Sequence, residues 1–309
     1  MATTARSNHV TFKDTYQEVT DTVIKALEEG TVIWQSSWND AGLPKNIITG
    51  IHYRGWNIFW LNFHTILKGY QAPFYLTYKQ AQQSGGTIKK GESGTKIVYW
   101  ATIELKDKAS DNKEEQLKAT NNDEKQRTKL VPKAHTVFNI AQTDGIEFPT
   151  ITPIIKSPLQ KIAACEQVVA DMPNSPIIIT GSASAYYSPV SDTVVVPGLD
   201  SSTSSEGYYS TLFHELAHST GNESRLNRKE LVGSDGFGNT NYAKEELTAE
   251  MTAAFLCAIT GIDQPTIANS AAYIQNWLKA LRNDKTLVIK AAAQAQKAAD
   301  FMLSIANDN

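Results

Sequence analysis

The chain has 309 residues, long enough for two domains with real cores, and its 41% hydrophobic and 20% charged residues exclude a fibrous or disordered protein. The two cysteines, Cys165 and Cys257, lie in apolar helical contexts and exclude a disulfide framework. No apolar run approaches the roughly 18 residues of a membrane helix, and Met1-Ala2-Thr3-Thr4-Ala5-Arg6 leads into polar sequence and not a secretory segment. No membrane contact and a cytoplasmic location are therefore expected.

The first expected element is an amphipathic helix, because Phe12, Tyr16, Val19, Val23 and Leu27 recur at helical spacing between a Thr11 cap and Gly30. Trp34 and Trp38 follow in a loop closed by Gly42-Leu43-Pro44. Residues 57–67 read as a second helix ended by Gly69, and residues 78–84 as a short third one. Gly85-Gly86 turns the chain into strands around 87–88 and 96–105. Residues 106–130 hold many charges of both signs and no aromatic, which predicts a solvated insertion at a hairpin tip. A strand resumes at 136–140, and Pro149, Pro153 and Pro158 mark a linker. Beyond it a helix over 159–170 opens the second half. Three β-rich segments, 176–180, 185–187 and 193–196, predict a small sheet. A tail helix covers 286–306. The fold class is α+β in two domains, 1–150 and 151–309.

The densest chemistry is His214-Glu215-Leu216-Ala217-His218. Residues four apart share a helix face, so both imidazoles can reach one metal ion. Glu215 lies about 100° round the helix; it can meet a water on that ion without binding the ion itself and act as general base. Thr203-Ser204-Ser205-Glu206 reads as a capping box opening the helix, and Gly221 as its stop. The pattern points to a zinc-dependent hydrolase, usually a peptidase. A catalytic zinc needs a third protein ligand and an open position. Ser224 stands where a third His of the compact pattern would fall. A second helix, 242–259, carries Glu246 and Glu250 four apart on one face, the spacing for one ligand and one carboxylate that orients a His. Glu245 on the same helix reads as part of a solvated face. Zn²⁺ is the expected ion, and oxygen in the ligand set with an open position leaves Mn²⁺ possible. Tyr186, Tyr187, Tyr208 and Tyr209 are available to polarise a substrate carbonyl.

The overall net charge of −3 hides a segregation. Residues 43–100 hold seven Lys or Arg against the single acid Glu92, together with eleven aromatics. Basic residues interleaved with aromatic faces suit single-stranded nucleic acid. The candidates are Trp34, Trp38, Tyr53, Arg54, Trp56, Asn57, Lys79, Lys89, Lys90 and Lys96.

Two resemblances sharpen these readings. The helix around Glu246 resembles the Glu-x-x-Ala-Asp helix of gluzincin peptidases, which puts Glu246 in the ligand place and Glu250 in that of the Asp. Pro44-Lys45-Asn46, Thr49-Gly50, Tyr53-Arg54-Gly55-Trp56-Asn57, Thr77-Tyr78-Lys79-Gln80-Ala81, Gly85-Gly86 and Lys89-Lys90-Gly91-Glu92-Ser93-Gly94-Thr95 resemble the N-terminal domain of ArdC-type antirestriction proteins. That domain also heads some plasmid primases. Val137-Phe138-Asn139-Ile140-Ala141-Gln142 looks like its end. Leu212-Phe213 with the His-Glu motif, Ser224-Arg225-Leu226 and Tyr242-Ala243-Lys244-Glu245-Glu246-Leu247 are similar to the second half of the same family. The resemblance implies a single-stranded-DNA-binding domain followed by a mainly helical, zincin-like metallopeptidase domain with a small sheet. It implies a plasmid protein that protects incoming conjugative DNA from host restriction, with an unidentified protein substrate. The alternatives are a strand-binding protein whose metal domain is structural or inactive, and a primase-associated accessory protein.

Overall fold

The structure, a computed structural model of the chain, describes residues 12–35, 38, 41–104, 128–151, 155–229, 240–262 and 271–305. Its N-terminal half begins with α1 (Phe12–Glu28), whose buried stripe is Tyr16, Val19, Val23 and Leu27, as the spacing predicts. Trp34 lies in one turn of 3₁₀ helix, Ile33–Gln35. Then come β1 (Lys45–Asn46), α2 (Trp56–Leu67), β2 (Phe74–Thr77), α3 (Tyr78–Gln83), β3 (Thr87–Ile88), β4 (Thr95–Glu104), β5 (Thr128–Asn139) and β6 (Thr143–Asp144). Thr77 caps α3 in a reciprocal pair with Gln80, the sequence signature of a helix start. The sheet order is β1-β2-β5-β4, with β1 and β2 parallel and the other pairs antiparallel. Strand β2 is absent from the sequence expectations: Phe74, Tyr75 and Leu76 are all buried, so no alternation betrays it.

The charged insertion falls mostly outside the described residues. Residues 128–130, expected within it, instead open β5 and pair with 102–104. Two long strands in register extend the ladder further than charge patterning suggests.

The second half contains α4 (Pro158–Asp171), β7 (Ile177–Thr180), β8 (Tyr186–Ser188), β9 (Thr193–Val196), α5 (Ser205–Ser219), α6 (Thr240–Thr260), α7 (Ala271–Asn283) and α8 (Leu287–Met302). The expected capping box opening α5 is shifted: Ser204, not Thr203, is the cap, accepting from the Gly207 N–H at 3.0 Å. Helix α7, with Trp277, Leu278 and Leu281 on its buried side, is not among the expected elements. The sheet order is β7-β9-β8, and β9 is buried throughout between its neighbours and α5. Among the described residues no helix is long and apolar enough to cross a membrane.

One hydrophobic core runs through both halves. Trp34 meets Trp277 edge to face at 5.2 Å, and Phe59 packs on Phe255 at 4.4 Å. Arg54 pairs with the buried Asp300, and the Gly55 N–H donates to Gln296 at 3.0 Å. Gly55 has φ +57°, a conformation that favours glycine, and its Cα faces the backbone of α8. The close approach this glycine permits is therefore to the last helix.

A fragment of residues 1–150 leaves Trp34, Phe59, Val19 and Val23 without their partners. In thermal unfolding followed by circular dichroism, the full chain melts cooperatively and this fragment shows no sharp transition. A sharp, reversible melt of the fragment would contradict the shared core.

Candidate functional site

Helix α5 buries Leu212, Phe213, Leu216 and Ala217 and turns His214, Glu215 and His218 towards α6. Helix α6 answers with Glu245, Glu246 and Glu250, all buried. His214, His218 and Glu246 each offer a ligand atom, and these atoms lie within 4.8 Å of one another. The Nε2 atoms of the two histidines face each other at 3.1 Å, and the Glu246 oxygens lie 3.6 and 3.5 Å from them. Two imidazole nitrogens and one carboxylate converging on a small space suit a divalent ion. The residues present therefore fit an ion.

The carboxylates around this trio divide the work differently from the expected scheme. Glu245 is 4% exposed and is not part of a solvated face. It accepts from His218 Nδ1 at 3.3 Å, which leaves Nε2 with its lone pair towards the ion. Arg228 clamps Glu245, donating from Nε at 3.0 Å and from Nη2; the same Nη2 also reaches the Ala217 carbonyl at 2.8 Å. Burial would push the Glu245 carboxyl up, but His218 and Arg228 overrule it and hold it at about 2. Glu250 serves the other histidine: Oε1 lies 3.8 Å from His214 Nδ1, and Oε2 accepts from Gln35 of the N-terminal half at 3.4 Å. Burial and the Glu246 hydrogen bond oppose each other at His214, and Glu246 wins, aided by the charges of Glu250, Glu246 and Glu215; the imidazole is raised to about 9. Glu215 itself is 8% exposed.

Sequence reasoning missed Arg228 and misjudged Glu245. Arg228 follows the Ser224-Arg225-Leu226 motif by only two residues. Arg225 in that motif pairs with Asp192 and donates to the Ser219 carbonyl at 2.7 Å, tying the end of α5 to the small sheet. Two arginines just after a two-His helix were the available signal. Among the tyrosines considered, Tyr209 is buried and its hydroxyl donates to Glu166, while Tyr187 donates to Asp192 at 2.8 Å. Tyr242, not considered, contacts the Glu246 carboxylate and helps hold it ionised.

The structure disperses the residues read as a strand-binding surface. Trp34 and Trp56 are 1% and 3% exposed, so they are core residues and offer no free face. Asn57 bridges both backbone groups of Val98 from a buried position. Arg54 is engaged by Asp300, and Lys96 by Glu18. Tyr53 packs edge to face on Tyr75, and burial pushes its hydroxyl up to about 12. Lys89 is exposed but donates to the Ala141 carbonyl at 2.8 Å. Lys79 and Lys90 are exposed, and Trp38 is half-buried against Phe59. The physical reason is the shared core: the second half covers the aromatic stripe that the N-terminal half would otherwise expose.

Two measurements follow from this geometry. Glu245→Gln removes the acceptor charge behind His218 and is expected to weaken metal binding about 10- to 100-fold, read by competition with a metal indicator; unchanged affinity would contradict the role. In apo protein prepared by chelation, the raised His214 adds stability that is complete below about pH 6.5 and is lost as pH rises through about 9. An ion must displace that proton, so loading at pH 7.5 releases about one proton per site. Titration calorimetry in buffers of different ionisation enthalpy reads it, and a buffer-independent heat would contradict it.

Comparison with known proteins agrees with this organisation. Residues 13–138 match the N-terminal domain of anti-restriction factor ArdC, and residues 163–294 match a zincin-like metallopeptidase domain. An uncharacterised protein of Sinorhizobium fredii, y4eC, is 33% identical over 94% of this chain and 91% of its own. Two Escherichia coli proteins named DNA primase TraC are 35% and 33% identical over 94% of the chain, which spans 20% and 27% of their lengths. The antirestriction ArdC protein from the R388 plasmid has crystal structures without metal and with Mn(II). The metal-free one is 36% identical at a TM-score of 0.73, covering 94% of this chain and 97% of that one; the Mn(II)-bound one is 35% identical at 0.72, covering 95% and 99%. A divalent metal is thus the cofactor, with zinc and manganese both compatible with the donor set. With two domains in the same order and near-complete coverage, the chain belongs to the ArdC family of antirestriction proteins.

Proposed function

We propose that this protein protects incoming conjugative plasmid DNA from host restriction in the cytoplasm, binding single-stranded DNA mainly through residues 1–150 and carrying a metal-dependent peptide hydrolase centre in residues 151–309. The observation that carries the catalytic part is the convergence of His214, His218 and Glu246 beside the buried Glu215. These three residues would hold the ion, with Glu245 accepting from His218 Nδ1 and the Glu250 carboxylate standing 3.8 Å from His214 Nδ1. The ion supplies Lewis acidity, polarising a carbonyl and making water acidic enough to lose a proton near neutral pH. Glu215 is the general base that takes that proton and passes it to the leaving amine. The edge strand β8, packed beside α5, can pair with an extended peptide and carry its scissile bond to the centre. The protein substrate is unidentified.

The strand-binding part is supported by the basic, acid-poor composition of residues 43–100 and by kinship with the ArdC N-terminal domain. The similarity to primases covers a minor part of those proteins. An accessory role beside a primase is the second reading that this similarity favours.

Glu215→Gln keeps shape and removes basicity. With the ion bound, cleavage of a fluorogenic peptide mixture falls by about 10²- to 10⁴-fold, while affinity for a single-stranded oligonucleotide is unchanged. Cleavage at the wild-type rate by the variant rejects Glu215 as base. If wild type and variant are both inert yet protect conjugating DNA equally, the centre is structural and the strand-binding reading stands alone.

A further inference from the structure

Between the two halves lies a cleft of about 570 Å³, within the range of small-ligand sites. It is remote from the metal centre: helix α6 carries Glu250 at its middle and Ile259 at its end, roughly 14 Å further along the axis. One wall comes from the N-terminal half, Trp38, Leu43, Lys45 and His52; the other comes from Ile259 and Ile262 at the end of α6, with Lys156 and Lys161 beside them. Of these, Lys45 and His52 lie between Pro44 and Tyr53, in a stretch that no part of the metal chemistry uses.

The charge of this cleft is one-sided. Among the described residues that line it there is no carboxylate, and there are three lysines and a histidine. Lys156 is engaged, capping α6 through the Ile259 and Thr260 carbonyls at 2.7 and 3.2 Å. Lys161 is paired with Glu206 at 3.2 Å. Lys45 is the available cation, and His52 beside it offers a ring N–H. They face each other across an isolated antiparallel bridge, so their side chains leave on the same face. Lys45 Nζ rests 4.5 Å above the Phe74 ring, and no described carboxylate lies within ion-pair distance of either residue. Trp38 is buttressed by Phe59 at 5.9 Å, a firm backing for a ring laid against it.

A slot with an aromatic wall, and with Lys45 and the His52 imidazole at its N-terminal rim, matches a flat heterocycle attached to an anionic backbone. We propose that the cleft receives an unpaired base of single-stranded DNA, stacked on Trp38, with the adjoining phosphates held by Lys45 and His52. This rests on the strand-binding reading above and names its site. It moves that site away from Trp34 and Trp56 to the seam between the halves. A duplex would have to unstack and expel a base to enter, so single strands are favoured.

The test uses the full chain and a fluorescein-labelled oligodeoxythymidine, with affinities measured over a range of salt. Trp38→Leu is expected to weaken binding about 5- to 150-fold, the loss of one stacked base. Lys45→Gln is expected to reduce the salt slope by about 0.7, one phosphate contact on a single strand. Lys45 is a partly exposed residue of the short edge strand β1, so this variant stays readable if Trp38→Leu disturbs packing. Photocrosslinking of an oligonucleotide carrying 5-bromodeoxyuridine is expected to label residues 38–52 or 259–262. If wild type binds the oligonucleotide while both variants bind equally well and the crosslinks fall elsewhere, the cleft is not the base site and strand binding survives. If wild type fails to bind single strands, the strand-binding reading itself falls, and this proposal with it.

Discussion

Two imidazoles and four carboxylates meet where α5 crosses α6, and nearly all of them are withdrawn from water. Uncompensated, such a cluster would be strongly destabilising, since each buried charge forfeits several kcal/mol of hydration. The arrangement is tolerable because three of the four carboxylates have counterparts. Glu245 faces Arg228 and His218, Glu250 faces His214 and Gln35, and Glu246 faces both histidines and Tyr242. A divalent ion would add positive charge where the histidine Nε2 atoms and Glu246 converge, beside Glu215. Much of the second half serves this one requirement. The Arg225–Asp192 pair ties the end of α5 to the small sheet, and the apolar remainder of α6 packs against α8.

The same requirement reaches across the domain division. Gln35 comes from the N-terminal half yet touches Glu250, and Trp34 beside it packs on Trp277. The seam is continuous with the hydrophobic core, fastened on one side by Arg54 to Asp300 and lined on the other by the cleft behind Trp38. Two domains that share a core in this way move as one body or separate at considerable cost in apolar exposure.

The grouping of His214, His218 and Glu246 was legible from sequence because the pattern has a fixed period. His214 and His218 are four apart on a helix with an apolar stripe, and Glu246 sits on a second helix whose later turns, with Met251, Ala254, Phe255 and Cys257, are apolar. Glu245 was not legible as a buried group, since an isolated pair of adjacent acids looks solvated until Arg228 is seen to fold back over it. Strand β2 escaped for a related reason, being buried on both faces with no alternation to report it. Trp34, Trp56 and Arg54 were misjudged as free for a third reason. Composition shows that Trp34, Trp56 and Arg54 sit in a basic, aromatic stretch, but it cannot show that α7 and α8, more than 200 residues later, cover them. Exposure is a property of long-range packing, and the sequence window that held the motif did not contain its cover.

The central claim is that one divalent ion is held by His214, His218 and Glu246. Crystals of the metal-loaded protein, measured at the absorption edge of the ion, locate it directly. The account predicts a single strong anomalous peak bounded by those three side chains, with Glu215 close by but not ligating. A peak lying elsewhere, or one that includes Glu245 in place of Glu246, would contradict it.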